Sequence, residues 1–177
     1  EEQNVDFFPL MVDFEEKLYA AGIIKGSRWV KREGQPGEVS ILNGRMVDRS
    51  IRPLFDESSR RSVQVIITVL SVDKENDHDV PSLLAASAAL SIAGVDWQGP
   101  IGGIKVGMVN NEFIYNPTYQ QQEESDLDLI VAGDTEKAIM IECGANEVQE
   151  ETMEEAIDSA KKEMTPALEL IREFRDN

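Results

Sequence analysis

The chain has one cysteine, Cys143, and one histidine, His78, in 177 residues. A single thiol excludes an internal disulfide and a cysteine-built zinc cage, and it favours a reducing compartment. Cations are scarce: 17 Lys and Arg stand against 34 Asp and Glu, for a net charge of −17. That balance excludes non-specific attraction of nucleic acid or anionic membrane to the surface as a whole. Aromatics make up 6% of residues. No apolar run approaches the roughly 18 residues needed to span a bilayer. No phosphate-binding P-loop, dinucleotide fingerprint, His-Glu-x-x-His motif or serine-triad pattern is present. Nor is a secretory leader visible, and Glu1 is not a start methionine, so the chain is expected to be a piece of something longer and to be cytoplasmic.

What is present is an unevenly placed set of cations. Lys25 to Arg61 contains nine of the 17 cations and five of the 34 acids, a local charge of +4, while the remaining residues carry −21. An anionic ligand would be steered to that island and repelled elsewhere. Within it, Trp29-Val30-Lys31-Arg32 sets an aromatic and an aliphatic residue beside two cations. Guanidinium groups bind phosphate bidentately and an aromatic ring stacks on an unpaired base, so the pattern suits a single strand passing by. A helix is expected from near Pro36 to Arg52, with Val39, Leu42, Met46, Val47 and Leu54 as its apolar face. Gly44 in its middle suggests close packing. Arg45, Arg49 and Arg52 fall within about 60° of one another at the edge of that face. Two readings of these arginines stand at this point. The island contacts phosphate, or Arg49 and Arg52 form structural ion pairs with Asp48, Asp56 or Glu57 and Trp29 is an ordinary core residue.

The rest of the chain alternates strands and helices. Phe7–Ala21 reads as a strand and the glycines that follow as a turn. Ser62–Asp73 is almost continuously apolar and β-branched, the pattern of a central strand covered on both faces. Pro81–Ala93 is a small-residue helix ended by Gly94. Gly99–Asn116 reads as a hairpin turning at Asn110-Asn111. Leu127–Ala132 and Ala138–Cys143 are expected to be buried strands, with Cys143 a small core residue. From Val148 onward Met153, Ala156, Ile157, Ala160, Met164, Leu168 and Ile171 keep helical spacing, and Pro166 should divide that segment near Thr165. The acidic run from Glu147 to Glu155 reads as a solvated helix start. His78 lies in the acidic loop before the small-residue helix and reads as part of a solvated turn. Asp126 and Asp128 alternate onto one face at a strand end, where a carboxylate pair could hold Mg²⁺ or simply face solvent. The order of elements predicts an α+β fold, two-layered, with mixed strands and packed helices.

Six blocks, in this order, carry a resemblance: DFFPLMVDFEEKLYAAG, KREGQPGEVSILNGRMVDRSIRPLF, VQVIITVLSVD, ASAALSIAG, GPIGGIKVG and SDLDLIVAG. They resemble the first RNase PH-like domain of the bacterial polynucleotide phosphorylase family over nearly the whole chain. The resemblance implies a ribosomal protein S5 domain 2-like βαβ topology. It implies a first RNase PH-like domain over 1–147, lacking its opening strands, and the start of a helical linker over 148–177. It also implies a parent enzyme that degrades single-stranded RNA from the 3′ end in mRNA turnover, using inorganic phosphate and Mg²⁺ and releasing nucleoside diphosphates. That parent would be a homotrimeric ring whose catalytic site lies mainly in a second RNase PH-like domain of the same protein. The serine-rich phosphate loop of that catalytic copy is replaced here by ENDHDVPS, with Ser82 alone, so this copy is expected to guide RNA and not to cleave it. Asp126 falls where the catalytic copy has a metal-binding aspartate. Trp29, Val30, Lys31 and Arg32 correspond to a channel loop of two aromatics and two arginines, of which one aromatic is lost. An arginine frequent after that loop is Gln35 here. Arg45, Arg49 and Arg52 match the family's helix arginines. The alternatives are a simple tRNA-trimming RNase PH and a purely structural ring-forming subunit.

Overall fold

The computed structural model describes residues 6–23 and 36–177. Trp29, Val30, Lys31, Arg32 and Gln35 therefore lie outside the described residues. Among the described residues the first element is strand β1 (Leu10–Glu16), followed by a 3-10 turn at Leu18–Ala21. Helix α1 (Glu38–Ile51), the next element among the described residues, passes into a second 3-10 turn at Arg52–Leu54, where Pro53 stops it. Strand β2 (Val63–Val69) then pairs with β1 in parallel, Leu10 opposite Val63 and Glu16 opposite Val69. This is the expected βαβ unit. Helix α2 (Asp79–Ile92) ends at Gly94, which takes the left-handed φ of 66°.

Strands β3 (Gly102–Val109) and β4 (Glu112–Tyr115) form the expected hairpin. Its turn residues Asn110 and Asn111 both have positive φ, 52° and 63°, which matches the twist of the flanking strands. A short helix, α3 (Tyr119–Glu123), precedes strands β5 (Leu127–Gly133) and β6 (Ala138–Ala145). These four strands make an antiparallel sheet in the order β4-β3-β5-β6. Helices α4 (Glu150–Glu163) and α5 (Thr165–Asp176) complete the chain, divided at Met164 just before Pro166 as expected. The acidic run supplies Glu150 and Glu151 to the first turn of α4, beside the positive end of its dipole.

Two cores hold these elements. The first joins Leu10 and Phe14 of β1, Val65 and Ile67 of β2, Val47 and Ile51 of α1, Leu83 and Ala86 of α2, and Ala132 and Met140 on the near face of the antiparallel sheet. The second lies on the far face, where Val106, Leu129 and Val131 meet Ala156, Ala160, Met164 and Leu168. Alternate residues of β5 thus serve different cores. No helix among the described residues is long and apolar enough to cross a membrane.

Four expectations are corrected. Strand β2 is covered on one face only: Val65, Ile67 and Val69 are buried, while Ile66 is 58% exposed and Gln64 faces solvent. Gln64 and Thr68 at alternate positions mark the open face. Helix α1 does not bury Val39 or Leu42, which are 56% and 58% exposed. It packs through Ser40, Gly44, Val47 and Ile51, and the small Ser40 and Gly44 let it approach β1. A Cβ on Gly44 would stand 3.4 Å from Phe14 Cβ. Strand β6 is the sheet's edge and is mostly exposed, and Cys143 is exposed with it. His78 is packed, not solvated. Its Nε2 stands 2.8 Å from Glu16 Oε1, its ring lies 5.7 Å from that of Phe14, and its Nδ1 is buried with no hydrogen-bond partner among the described residues.

The turn between β5 and β6 yields a stability test. A Cβ on Gly133 would stand 2.0 Å from the backbone oxygen of Lys137, whereas one on Gly144 meets nothing within 4 Å. Gly133→Ala is expected to cost about 1–3 kcal/mol, and Gly144→Ala to stay within about 0.5 kcal/mol of the parent. Thermal unfolding of the two variants checks this contrast.

Candidate nucleic-acid interface

The three arginines of the basic island leave α1 in different states. Arg45 is exposed and makes no hydrogen bond or ion pair with any described residue. Arg49 donates through Nη2 to Glu142 Oε2 on β6. Arg52 is the most engaged. Its Nε and Nη2 grip Asp48 bidentately at 2.7 and 2.5 Å, and its terminal nitrogens also donate to the carbonyls of Phe8 and Leu10 at 3.4 and 3.1 Å. The hydrogen bond to Asp48 holds the Arg52 guanidinium above its ordinary value. The structural pairing weighed for Arg52 is thus formed with Asp48, whereas Arg49 finds a partner that sequence spacing did not suggest. A groove of about 450 Å³ runs between α1 and β1 beside Arg45 and Arg49, with Phe14 and Ile41 in its wall.

A second cluster was not legible as a site. Lys105 is buried at the centre of β3, and its Nζ lies 3.3 Å from Asp77, 3.4 Å from Asp79 and 3.4 Å from Asp128. Burial opposes the ammonium charge, but Asp79, Asp128 and Asp77 together outweigh it and hold Lys105 above the usual lysine range. Burial, reinforced by Asp77, pushes the Asp79 carboxyl up despite the lysine. Burial followed by Asp77 and Asp79 pushes the nearby Tyr119 hydroxyl up as well. The signal in the sequence was a lone lysine in the apolar strand IKVGMV, which needs a counter-charge wherever it is buried.

Asp126 and Asp128 are both exposed but differ in their contacts. Asp128 engages Lys105, while Asp126 lies exposed before β5, its backbone nitrogen bonded to Met108 O. No group of three or more metal-ligating side chains occurs among the described residues. Partial burial and then the Asp128 carboxylate push the Cys143 thiol up, and its Sγ lies 3.8 Å from Met153 Sδ.

The βαβ unit, the small-residue helix and the antiparallel sheet covered by two helices define an RNase PH-like α+β domain. Across its whole length the chain superposes on Rrp46 of rice (Oryza sativa) with a TM-score of 0.78, covering 78% of that protein at 14% identity. Residues 1–96 match the model described as "3' exoribonuclease family, domain 1", and residues 99–163 match "3' exoribonuclease family, domain 2". This chain belongs to the 3′ exoribonuclease family. It is similar to the polyribonucleotide nucleotidyltransferases of Thermus thermophilus, at 52% identity over 94% of this chain, and of Rhodospirillum centenum, at 49% over 95%. It spans 23% and 24% of those proteins, about a quarter of their length. The two family models meet at Trp97-Gln98, between α2 and β3. Lys105 bridges that junction, with Asp77 and Asp79 on one side and Asp128 on the other. Position 148, where the resemblance implies the linker begins, falls between β6 and α4.

Lys105→Met would leave Asp79 buried without its cation, and breaking a buried pair in this way costs about 3–5 kcal/mol. The folded Asp79 carboxyl is raised, so protonation favours the fold. The variant should therefore regain part of its stability as pH falls through the carboxylate range. In the parent chain the folded lysine value is raised instead. Its contribution is complete below the ordinary lysine value and disappears as pH rises through the folded one. Denaturant midpoints across pH check both signs.

Proposed function

We propose that this chain is the RNA-guiding, non-catalytic part of a phosphate-dependent 3′-to-5′ exoribonuclease, a polyribonucleotide nucleotidyltransferase. The parent would release nucleoside diphosphates from single-stranded RNA in cytoplasmic mRNA turnover. It would work as a homotrimeric ring, with Mg²⁺ and inorganic phosphate sited mainly in a second RNase PH-like domain. The observation that carries this reading is Arg45, an exposed cation with no partner among the described residues, next to Arg49 in a chain of net charge −17. Trp29, Lys31 and Arg32, which lie outside the described residues, are assigned to RNA contact by their correspondence to the family's channel loop, Trp29 stacking on a base and the cations neutralising phosphates. Val30 completes that loop. Of the helix arginines, Arg45 carries the largest share and Arg52 the smallest, because the donors of Arg52 are already in use.

The non-catalytic reading is supported at the start of α2. Ser82, the one serine there, spends its hydroxyl on the carbonyl of His78, and the neighbouring Asp79 is buried as a partner of Lys105. A carboxylate at that position opposes phosphate. The structural alternative, a ring-forming module, draws on the Arg52–Asp48 pair, which shows one island arginine serving the fold.

Binding of a short labelled single-stranded RNA at several salt concentrations tests the reading. Each lost phosphate contact should lower the log–log salt slope by about 0.7. The Lys31→Ala, Arg32→Ala double variant is expected to bind more weakly with a shallower slope. Unchanged binding would favour the structural alternative. The purified chain is also expected to release no nucleoside diphosphate from RNA in the presence of phosphate and Mg²⁺.

A further inference from the structure

Arg49 and Arg52 share a helix face and differ in how firmly they are held. Arg52 has four acceptor contacts, two from one carboxylate and two from backbone carbonyls that cannot move without unravelling the start of β1. Arg49 has one partner, the carboxylate of Glu142. Both members of that pair are about half exposed, 53% for Arg49 and 49% for Glu142. Exposed pairs of this kind are weak and open to competition.

Glu142 sits on the edge strand β6, opposite Ile130 of β5. Alternation places it on the same face as Asp128 and Met140, the face turned toward α1. Neighbouring residues on either side of it, Ile141 and Cys143, point to the other face. The carboxylate is therefore presented to α1 by the pleat of β6. A carboxylate and a phosphodiester offer a guanidinium the same thing, two oxygens in a plane that accept parallel N–H bonds. Arg45, one turn earlier on α1, has no such occupant among the described residues.

We infer that Glu142 is an internal stand-in for an RNA phosphate: it occupies Arg49 in the free chain and must be displaced for single-stranded RNA to use that arginine. This rests on the RNA-guiding reading of the α1 face. When RNA arrives, the diester takes the guanidinium and Glu142 is left unpaired beside a polyanion. The carboxylate thus sets a ceiling on affinity. It also holds Arg49 against other anions, so a lone small anion gains less at this face than a strand that engages Arg45 at the same time.

The test is a double-mutant cycle on this chain with a short oligoadenylate as probe, at fixed low salt, after thermal melts have shown each variant folded. Glu142→Gln is expected to tighten binding on the order of two- to fivefold, the range set by exposed ion pairs. In an Arg49→Ala background the same substitution should give no gain. A gain that persists undiminished without Arg49 would mean that Glu142 acts only through long-range charge, and the inference would be overturned. No gain in the parent background would overturn it too. Arg45→Ala, measured alongside, separates the two levels. If it weakens binding while Glu142→Gln does nothing, the stand-in role fails and the RNA face survives. If Arg45→Ala leaves affinity unchanged, or the parent chain binds no oligoadenylate, the RNA reading of this face fails and the inference falls with it.

Discussion

A single buried ammonium ties this domain together. Lys105 draws Asp77 and Asp79 from the start of α2 and Asp128 from β5 onto one point of β3. Three carboxylates and one cation in a partly dry setting are tolerable only while the cation stays. The arrangement therefore fixes where α2 begins relative to the antiparallel sheet. Asp77 is followed directly by His78, whose imidazole reaches Glu16 at the end of β1, and Glu16 in turn accepts from Ser40 of α1 at 2.6 Å. A continuous polar chain thus runs from the antiparallel sheet through α2 and β1 to α1, the helix that carries the arginines. The apolar cores supply most of the driving force, but they are non-directional. The polar chain supplies the register between the two halves that the family models describe separately.

Much of this architecture was legible because local chemistry and tertiary structure agree. Asn110-Asn111 marked a tight hairpin, Gly94 marked a helix end, and Pro166 marked the break between α4 and α5. Each is a backbone constraint, readable one residue at a time. The misreadings concern which face is covered. Val39 and Leu42 drew the apolar face of α1 toward themselves because large aliphatic side chains dominate any periodicity, whereas the helix packs through Ser40 and Gly44. In β2 the β-branched run hid the one-sided burial that Gln64 and Thr68 report. Cys143 was assigned to the core because β6 is apolar at its start, but an edge strand lacks the second neighbour that would cover it. His78 and Lys105 were missed as partners because their counter-charges lie 62 and 23–28 residues away in the chain.

The candidate site was legible in part. The clustering of cations between Lys25 and Arg61 was plain from the sequence, and so was the shared face of Arg45, Arg49 and Arg52. Their division of labour was not. It depends on Asp48 lying one turn before Arg52, which spacing suggested, and on Glu142 standing across from Arg49, which it could not. The result is a graded set: one arginine open among the described residues, one held loosely, one built into the fold. If this face guides RNA as proposed, such a gradation would let a single strand be gripped and released more readily than three free cations would, since strong uniform binding would slow passage. On the proposed RNA-guiding reading, the −17 net charge would disfavour a polyanion over most of the surface and leave this face as the more favourable approach.

The most direct measurement of that account is an amide chemical-shift map of this chain titrated with a short single-stranded RNA. Perturbations concentrated on α1 around Arg45 and Arg49, with a secondary response at Glu142 on β6 and none along the outer surfaces of α4 and α5, are the predicted result. Shifts centred on α4 and α5, or spread evenly over the surface, would contradict it.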